Sequence, residues 1–174
     1  MGFFDFLRKR PAATPAPRPD LQAGTGSAGP VDFDALCLEA EAKHDINLLT
    51  EVYARAFALG QWYVLARGRG ARIATGKLGD RTCVFAFTDP GRAEAFLRGP
   101  DGSAADGEAD ITAVPVAAFM SGLAELQGAG VETVCINRAP GGRAFGGPID
   151  VVLPMYRNYC WQLEHGPDAG PGPY

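Results

Sequence analysis

The chain has few of the side chains that carry out chemistry. Its 174 residues include three serines (Ser27, Ser103 and Ser121), two histidines (His44 and His165) and four scattered cysteines (Cys37, Cys83, Cys135 and Cys160). Acyl transfer needs a nucleophile with a base in hydrogen-bond reach, and no G-x-S-x-G turn frames any of these serines. There is no C-x-x-C, H-x-x-x-H or H-E-x-x-H, which excludes the recurring zinc frameworks. The acidic residues Asp101, Asp106, Glu108 and Asp110 do not make a calcium loop. That loop needs an oxygen ligand at its fifth position and Gly at its sixth, where this chain has Ala105 and Asp106. No catalytic residue, metal or cofactor is therefore expected. No apolar run approaches the ~20 residues that span a bilayer, and the first residues lack the apolar core and small-residue cleavage site of a secretory leader. A basic excess is missing too. The net charge of -4 and pI near 5.1 argue against a nucleic-acid partner held by counterion release. Three of the cysteines lie inside apolar runs, which reads as reduced, buried thiols in a cytoplasmic protein.

What is present divides into four parts. Residues 1–10, MGFFDFLRKR, place Phe3, Phe4, Phe6 and Leu7 just before Arg8, Lys9 and Arg10, an amphipathic peptide with a basic end. Residues 11–30 are dominated by Pro, Ala and Gly without apolar periodicity, and read as a disordered linker. Residues 31–165 have globular patterning and supply one domain's worth of core. Residues 166–174 return to Gly and Pro and read as a disordered tail.

Within the domain, Phe33, Leu36 and Cys37, then Leu49, Val52, Tyr53, Ala56 and Phe57, recur at helical spacing and predict two helices broken near His44–Ile46. Strands are predicted at Trp62–Ala66, Ala71–Thr75 and Arg81–Phe87, with turns at Gly68–Gly70 and Gly76–Gly79 too short for anything but antiparallel pairing. Thr82 to Leu97, TCVFAFTDPGRAEAFL, is the clearest stretch. An apolar strand meets Asp89, which can cap a helix, and Pro90, which fits the first helical position because its missing N–H costs nothing there. A strand at Ile111–Val114, a helix at Val116–Leu126 and a strand at Val131–Ile136 follow. A last helix lies within Ile149–Gln162, where Pro154 should start or kink it. The expected architecture is α+β: a mixed, largely antiparallel sheet of about five strands with helices packed on it.

Four pieces of this pattern, Val52 to Leu65, Phe85 to Leu97, Ile111 to Phe119 and Gly130 to Asn137, together resemble the N-terminal domain of the bacterial SseB family. The likeness lies in a helix leading into LGQWYVLARG, a strand ending FAFTDPGRAEAFL, and a Gly-Val strand ending at an Asn. It covers about 85 residues of the middle of the chain. The sequence departs from the family at Arg138, where Pro is usual, and in having no second SseB-type domain. The resemblance implies a non-enzymatic, regulatory or protein-interaction role and brings no catalytic residues with it.

Two features suggest contacts. The loop carrying Asn137, Arg138, Gly141, Gly142 and Arg143 runs between a predicted strand and a predicted helix, and its N–H groups and guanidiniums could hold an anion. The N-terminal peptide is the other. Its four apolar side chains contribute ~1.5 to 3 kcal/mol each on burial, against ~1 to 2 kcal/mol for each residue ordered. The balance allows a weak, reversible contact with a partner groove or a membrane surface, not a permanent anchor. Gly24, Gly26 and Gly29 satisfy G-x-G-x-x-G but lie in the linker, without the strand and helix that motif needs. Arg67, Arg69, Arg72, Lys77 and Arg81 crowd the turns of the predicted meander and read as a solvated edge that discourages sheet-to-sheet association. The leading expectation is an interaction module with an unidentified protein partner and the N-terminal peptide as a second contact. The alternatives are an enzyme acting on a phosphorylated or other anionic small molecule at the 137–147 loop, and a peripheral membrane adaptor.

Overall fold

The first three described helices each start on an aspartate. A computed structural model describes residues 31–67, 72–100, 109–138, 140, 143–167 and 169–172. The Asp32 side chain accepts from the Ala35 N–H at 3.0 Å and opens α1 (Phe33–Lys43). His44 then turns left-handed at φ 51°, and Asp45 takes the Asn47 N–H at 2.8 Å to open α2 (Ile46–Phe57). The predicted break at His44–Ile46 is therefore a cap-to-cap junction. Asp89 caps α3 (Pro90–Arg98) through the Arg92 N–H at 2.9 Å, with Pro90 in the first turn. Carboxylates at these positions satisfy N–H groups that have no partner within the helix.

The sheet contains β1 (Gln61–Arg67), β2 (Arg72–Ile73), β3 (Thr75–Leu78), β4 (Arg81–Phe87), β5 (Ala109–Pro115), β6 (Thr133–Ile136) and β7 (Phe145–Pro148). β5 pairs antiparallel along all of β1, from Gln61↔Pro115 to Arg67↔Ala109. The other edge of β1 is shared between β4, at Tyr63 and Val64, and β2, at Ala66 and Arg67. β3 in turn pairs with the start of β4. β1 and β4 therefore diverge like a fork, and β2 and β3, separated by Ala74, fill the opening. Five strands, β5–β1–β4–β6–β7, run continuously; the two short ones in the fork bring the total to seven. Only β4 and β6 are parallel.

Several expectations change. The strand predicted at Ala71–Thr75 is split between β2 and β3, and the turn predicted at Gly76–Gly79 sits at Gly79 and Asp80 instead. Gly76 is drawn into β3 because the Phe85 ring fills the space its side chain would need: a Cβ there would meet the ring at 2.8 Å. β7 lies in a stretch read as loop. α5 (Ile149–His165) runs through Pro154, whose missing N–H leaves only the carbonyl of Asp150, one turn from the helix start, without its usual donor. Among the described residues of the tail, expected to lack structure, the Gly166 N–H donates to the Gln162 carbonyl at 2.9 Å and the Gly172 N–H to Asn158 Oδ1 at 3.1 Å.

The two faces of the sheet are covered unequally. Trp62, Val64, Val84, Ala86, Val134 and Ile136 face α1, α2, α5 and α4 (Val116–Gly128), which form the main core. Trp62 is fully buried and donates its indole N–H to the Ala56 carbonyl at 2.9 Å, so its polar atom does not oppose burial. The other face, with Leu65, Cys83, Phe85, Phe87 and Cys135, is covered by α3 through Ala93 and Phe96. No described helix is long and apolar enough to cross a membrane.

β7 depends on a missing side chain. Gly146 has φ +144°, and a Cβ there would lie 2.1 Å from the Val134 carbonyl oxygen. Gly146→Ala is expected to cost about 3 kcal/mol, combining backbone strain with a clash against main chain. Gly128→Ala, at an open helix end with nothing within 4 Å, is expected to stabilise by up to about 1 kcal/mol. Denaturant unfolding of the two variants checks both signs.

Candidate functional site

Because β4 and β6 are parallel, Thr88 and Asn137 leave the sheet side by side. Crevices at the carboxyl ends of parallel strands are common ligand sites, and the loop residues nominated from the sequence all leave from here. Gly141 and Gly142 lie outside the described residues. Asn137 is fully buried at φ 61°. Its Oδ1 accepts from the Thr88 N–H at 2.8 Å and from the Thr88 hydroxyl at 3.0 Å, and its own N–H goes to the Ala86 carbonyl at 2.9 Å. Asn137 thus ties the two strand ends together.

Arg143 faces the chain's own carboxylates. Its backbone N–H donates to Asp34 Oδ1 at 2.7 Å, and its guanidinium pairs with Glu41. Arg92 takes both oxygens of Asp34, at 3.1 and 2.9 Å, and reaches Asp89 at 3.0 Å. The hydrogen bonds from Arg92 hold the Asp34 carboxyl below its ordinary value of 3.8; burial opposes the shift, and the Arg143 N–H adds to it. Asp34 therefore stands where an external anion would. Arg138 does not join this group. It borders a cavity of about 280 Å³ on the α3 face, over Leu65, Phe85 and Phe96 and beside Arg67. Of the five nominated loop residues, the three that are described have these settings: Asn137 holds Thr88, Arg143 pairs with Asp34 and Glu41, and Arg138 borders the α3-face cavity.

The basic cluster divides along the strands. Arg67 stands directly across from Arg72, so the two share the α3 face. Lys77 stands across from Thr82 on the opposite face and donates to its hydroxyl at 2.9 Å. Arg69 lies outside the described residues.

A second hollow of about 320 Å³ opens between α1, α2 and β7. Cys37, Ala40, Leu49 and Phe145 supply its apolar surface, while Glu41 and Asp45 stand at its acidic side. Phe145 is fixed from beneath by stacking on Phe33 at 5.8 Å and by an edge contact with Tyr53 at 5.6 Å. Ile46, also at this groove, is 69% exposed, the most exposed large hydrophobic side chain described. The two helices carry six carboxylates against Lys43 and Arg55 between Val31 and Phe57, a net charge of -4 on that segment. Burial pushes the Cys37 thiol above its ordinary value, and Asp34 and Glu41 push the same way, so it remains an unreactive thiol at neutral pH. Burial likewise pushes Tyr53 up to about 12.

The sequence analysis did not single out Ile46, Glu41 or Asp45. Ile46 carries no distinguishing signal: seven residues before Tyr53, it falls on the same helical face as the buried stripe, and its exposure comes from its place in the first turn of α2.

The remaining chemistry-bearing residues have local roles. His44 donates from Nδ1 to the Glu41 carbonyl, His165 stacks on Trp161 at 3.6 Å, and Ser121 donates to the Ala117 carbonyl within its own helix. None of the four cysteines forms a disulfide. Among the described residues no three His, Cys, Asp or Glu side chains could hold a metal together. The N-terminal peptide, the linker, Ser27, Ser103 and the acidic stretch from Asp101 to Glu108 lie outside the described residues. No protein-family model matches the chain, and no curated protein matches it significantly.

Asp34 yields two expected outcomes. Removing its carboxylate in Asp34→Ala leaves Arg92 and the Arg143 N–H without their anion, so sulfate is expected to raise the melting temperature of that variant and not of the native chain. The native carboxyl value is lowered. Its contribution to stability is therefore complete above the ordinary value of 3.8 and is lost as pH falls through the lowered native value. Asp34→Asn is expected to flatten that part of an acid-unfolding curve.

Proposed function

We propose that the chain is a cytoplasmic, non-enzymatic binding protein of the bacterial SseB-like kind. In this reading the folded domain docks a protein partner in the α1–α2–β7 groove, and the N-terminal peptide makes a second contact. The observation that carries the reading is Ile46, 69% exposed over an apolar groove beside Glu41 and Asp45. An exposed apolar surface edged by polar and charged groups is a recognition feature. It suits a partner segment with apolar side chains next to basic ones. Three buried thiols and a half-buried fourth, none of them in a disulfide, support a reducing compartment. The resemblance in Phe85 to Leu97 and Gly130 to Asn137 supports the family reading through its strand and helix pattern alone.

Enzymatic action on a phosphorylated or other anionic small molecule at residues 137–147 draws less support, because Arg143 faces Glu41 and Asp34. The expected result is that the full chain, used as bait, captures a protein from bacterial lysate. Ile46→Asp should reduce that capture at least 10-fold, matching the ~1.5 to 3 kcal/mol that burying one such side chain contributes. Leu163→Asp, on α5 and half exposed, should retain it. Capture insensitive to Ile46→Asp would contradict the reading. Turnover of a phosphorylated compound lost in Arg143→Ala would favour the enzyme instead, and binding to anionic vesicles with no protein captured would favour a membrane adaptor.

A further inference from the structure

The groove asks for apolar side chains followed by positive charge, and this chain carries such a segment. Phe3, Phe4, Phe6 and Leu7 are followed by Arg8, Lys9 and Arg10, and the side chains of residues 1–10 sum to +2. The α1–α2 segment sums to -4; at the groove itself stand Asp45 and Glu41, the latter shared with the Arg143 guanidinium. The sign of charge and the apolar content both match.

Reach decides whether the segment can arrive. Residues 11–30 connect the peptide to the start of α1. The groove lies near the other end of that helix, where Ala40, Glu41 and His44 border it. Eleven helical residues span ~16 Å at 1.5 Å each. A tether of twenty residues has a root-mean-square span on the order of 25 Å. A span comparable to the tether's own dimension gives an effective concentration in the millimolar range, enough to hold a contact too weak to persist between separate molecules. The volume of about 320 Å³ is at the small end of ligand sites, which suits one or two aromatic side chains better than a folded partner.

The α3-face cavity is the competing receptor. Its bordering side chains include Arg67 and Arg138, which repel a basic peptide. Charge selects the α1–α2–β7 groove.

We propose that the N-terminal peptide docks in cis into the α1–α2–β7 groove, seating its phenylalanines against Ile46, Leu49 and Phe145 with Arg8–Arg10 toward Glu41 and Asp45. The peptide is then an internal competitor for the partner site, displaced when a partner of similar chemistry binds. This rests on the reading of that face as a docking surface.

The test compares amide spectra of the ¹⁵N-labelled full chain with those of Phe3→Ser/Phe4→Ser/Phe6→Ser, whose substitutions lie outside the folded domain. The expected result is resonance differences at Ala40, Ile46, Leu49 and Gly146 that are unchanged by tenfold dilution, with Leu65 and Phe85 unaffected. Superimposable spectra would overturn the proposal, as would differences centred on Leu65 and Phe85. Differences that vanish on dilution would assign the contact to a second copy and overturn docking in cis. Partner capture that depends on Ile46 would still stand if the spectra superimposed, so failure here and failure of the docking-surface reading are separable.

Discussion

The guanidinium of Arg92 connects parts of the chain that the sheet alone does not. It holds both oxygens of Asp34 on α1, fifty-eight residues earlier, and also reaches Asp89, which caps its own helix. Asp34 then accepts the backbone N–H of Arg143 at the approach to β7. A bidentate guanidinium–carboxylate pair fixes orientation as well as distance, and this one is only partly exposed, 22% on the arginine side. An exposed pair of this kind adds little to stability. What it supplies is position: α1, on one face of the sheet, is registered against α3 on the other and against the entry to β7. The groove lies between α1, α2 and β7, so its shape follows from that registration.

The same network occupies the described cations Arg92 and Arg143 near the crossover of the parallel strands. Such crevices collect N–H groups and cations, and here the chain supplies its own counter-anion in Asp34 while Asn137 and Thr88 seal the strand ends. What is left open to a partner is the acidic groove beside it. The unequal covering of the sheet has a parallel consequence. The four-helix face is filled by the main core, whereas the α3 face keeps a cavity whose bordering arginines give it the opposite charge preference.

The sequence disclosed those parts of the fold whose causes are local. Asp89 and Pro90 determine where α3 starts, and the helix begins at Pro90 as that capping signal predicts. His44 and Asp45 mark the junction of the first two helices for the same reason. β7 was not legible because Phe145-Gly-Gly-Pro148 has neither alternation nor β-branched residues. It is a strand because β6 offers an edge and Phe145 is held by Phe33 and Tyr53. The split of β2 from β3 was hidden because it depends on β1 and β4 diverging, so that Arg72–Ile73 pairs with β1 and Thr75–Leu78 with β4. The setting of Arg143 was hidden for a similar reason. The partners of Arg143 are Asp34 and Glu41, more than a hundred residues earlier, and no spacing in the chain points to them. The amphipathic N-terminal peptide was legible from composition, but the acidic groove that suits it came only from the arrangement of two helices and a strand.

The central claim is that the α1–α2–β7 groove recognises an apolar segment followed by basic residues. Its most direct test is fluorescence anisotropy of a labelled peptide of residues 1–10, titrated with the full chain carrying Phe3→Ser/Phe4→Ser/Phe6→Ser so that the groove is vacant. The account predicts saturable binding that weakens as salt screens the charges and is lost when Ile46→Asp is added. Anisotropy that never saturates, or saturable binding indifferent to Ile46→Asp, would contradict it.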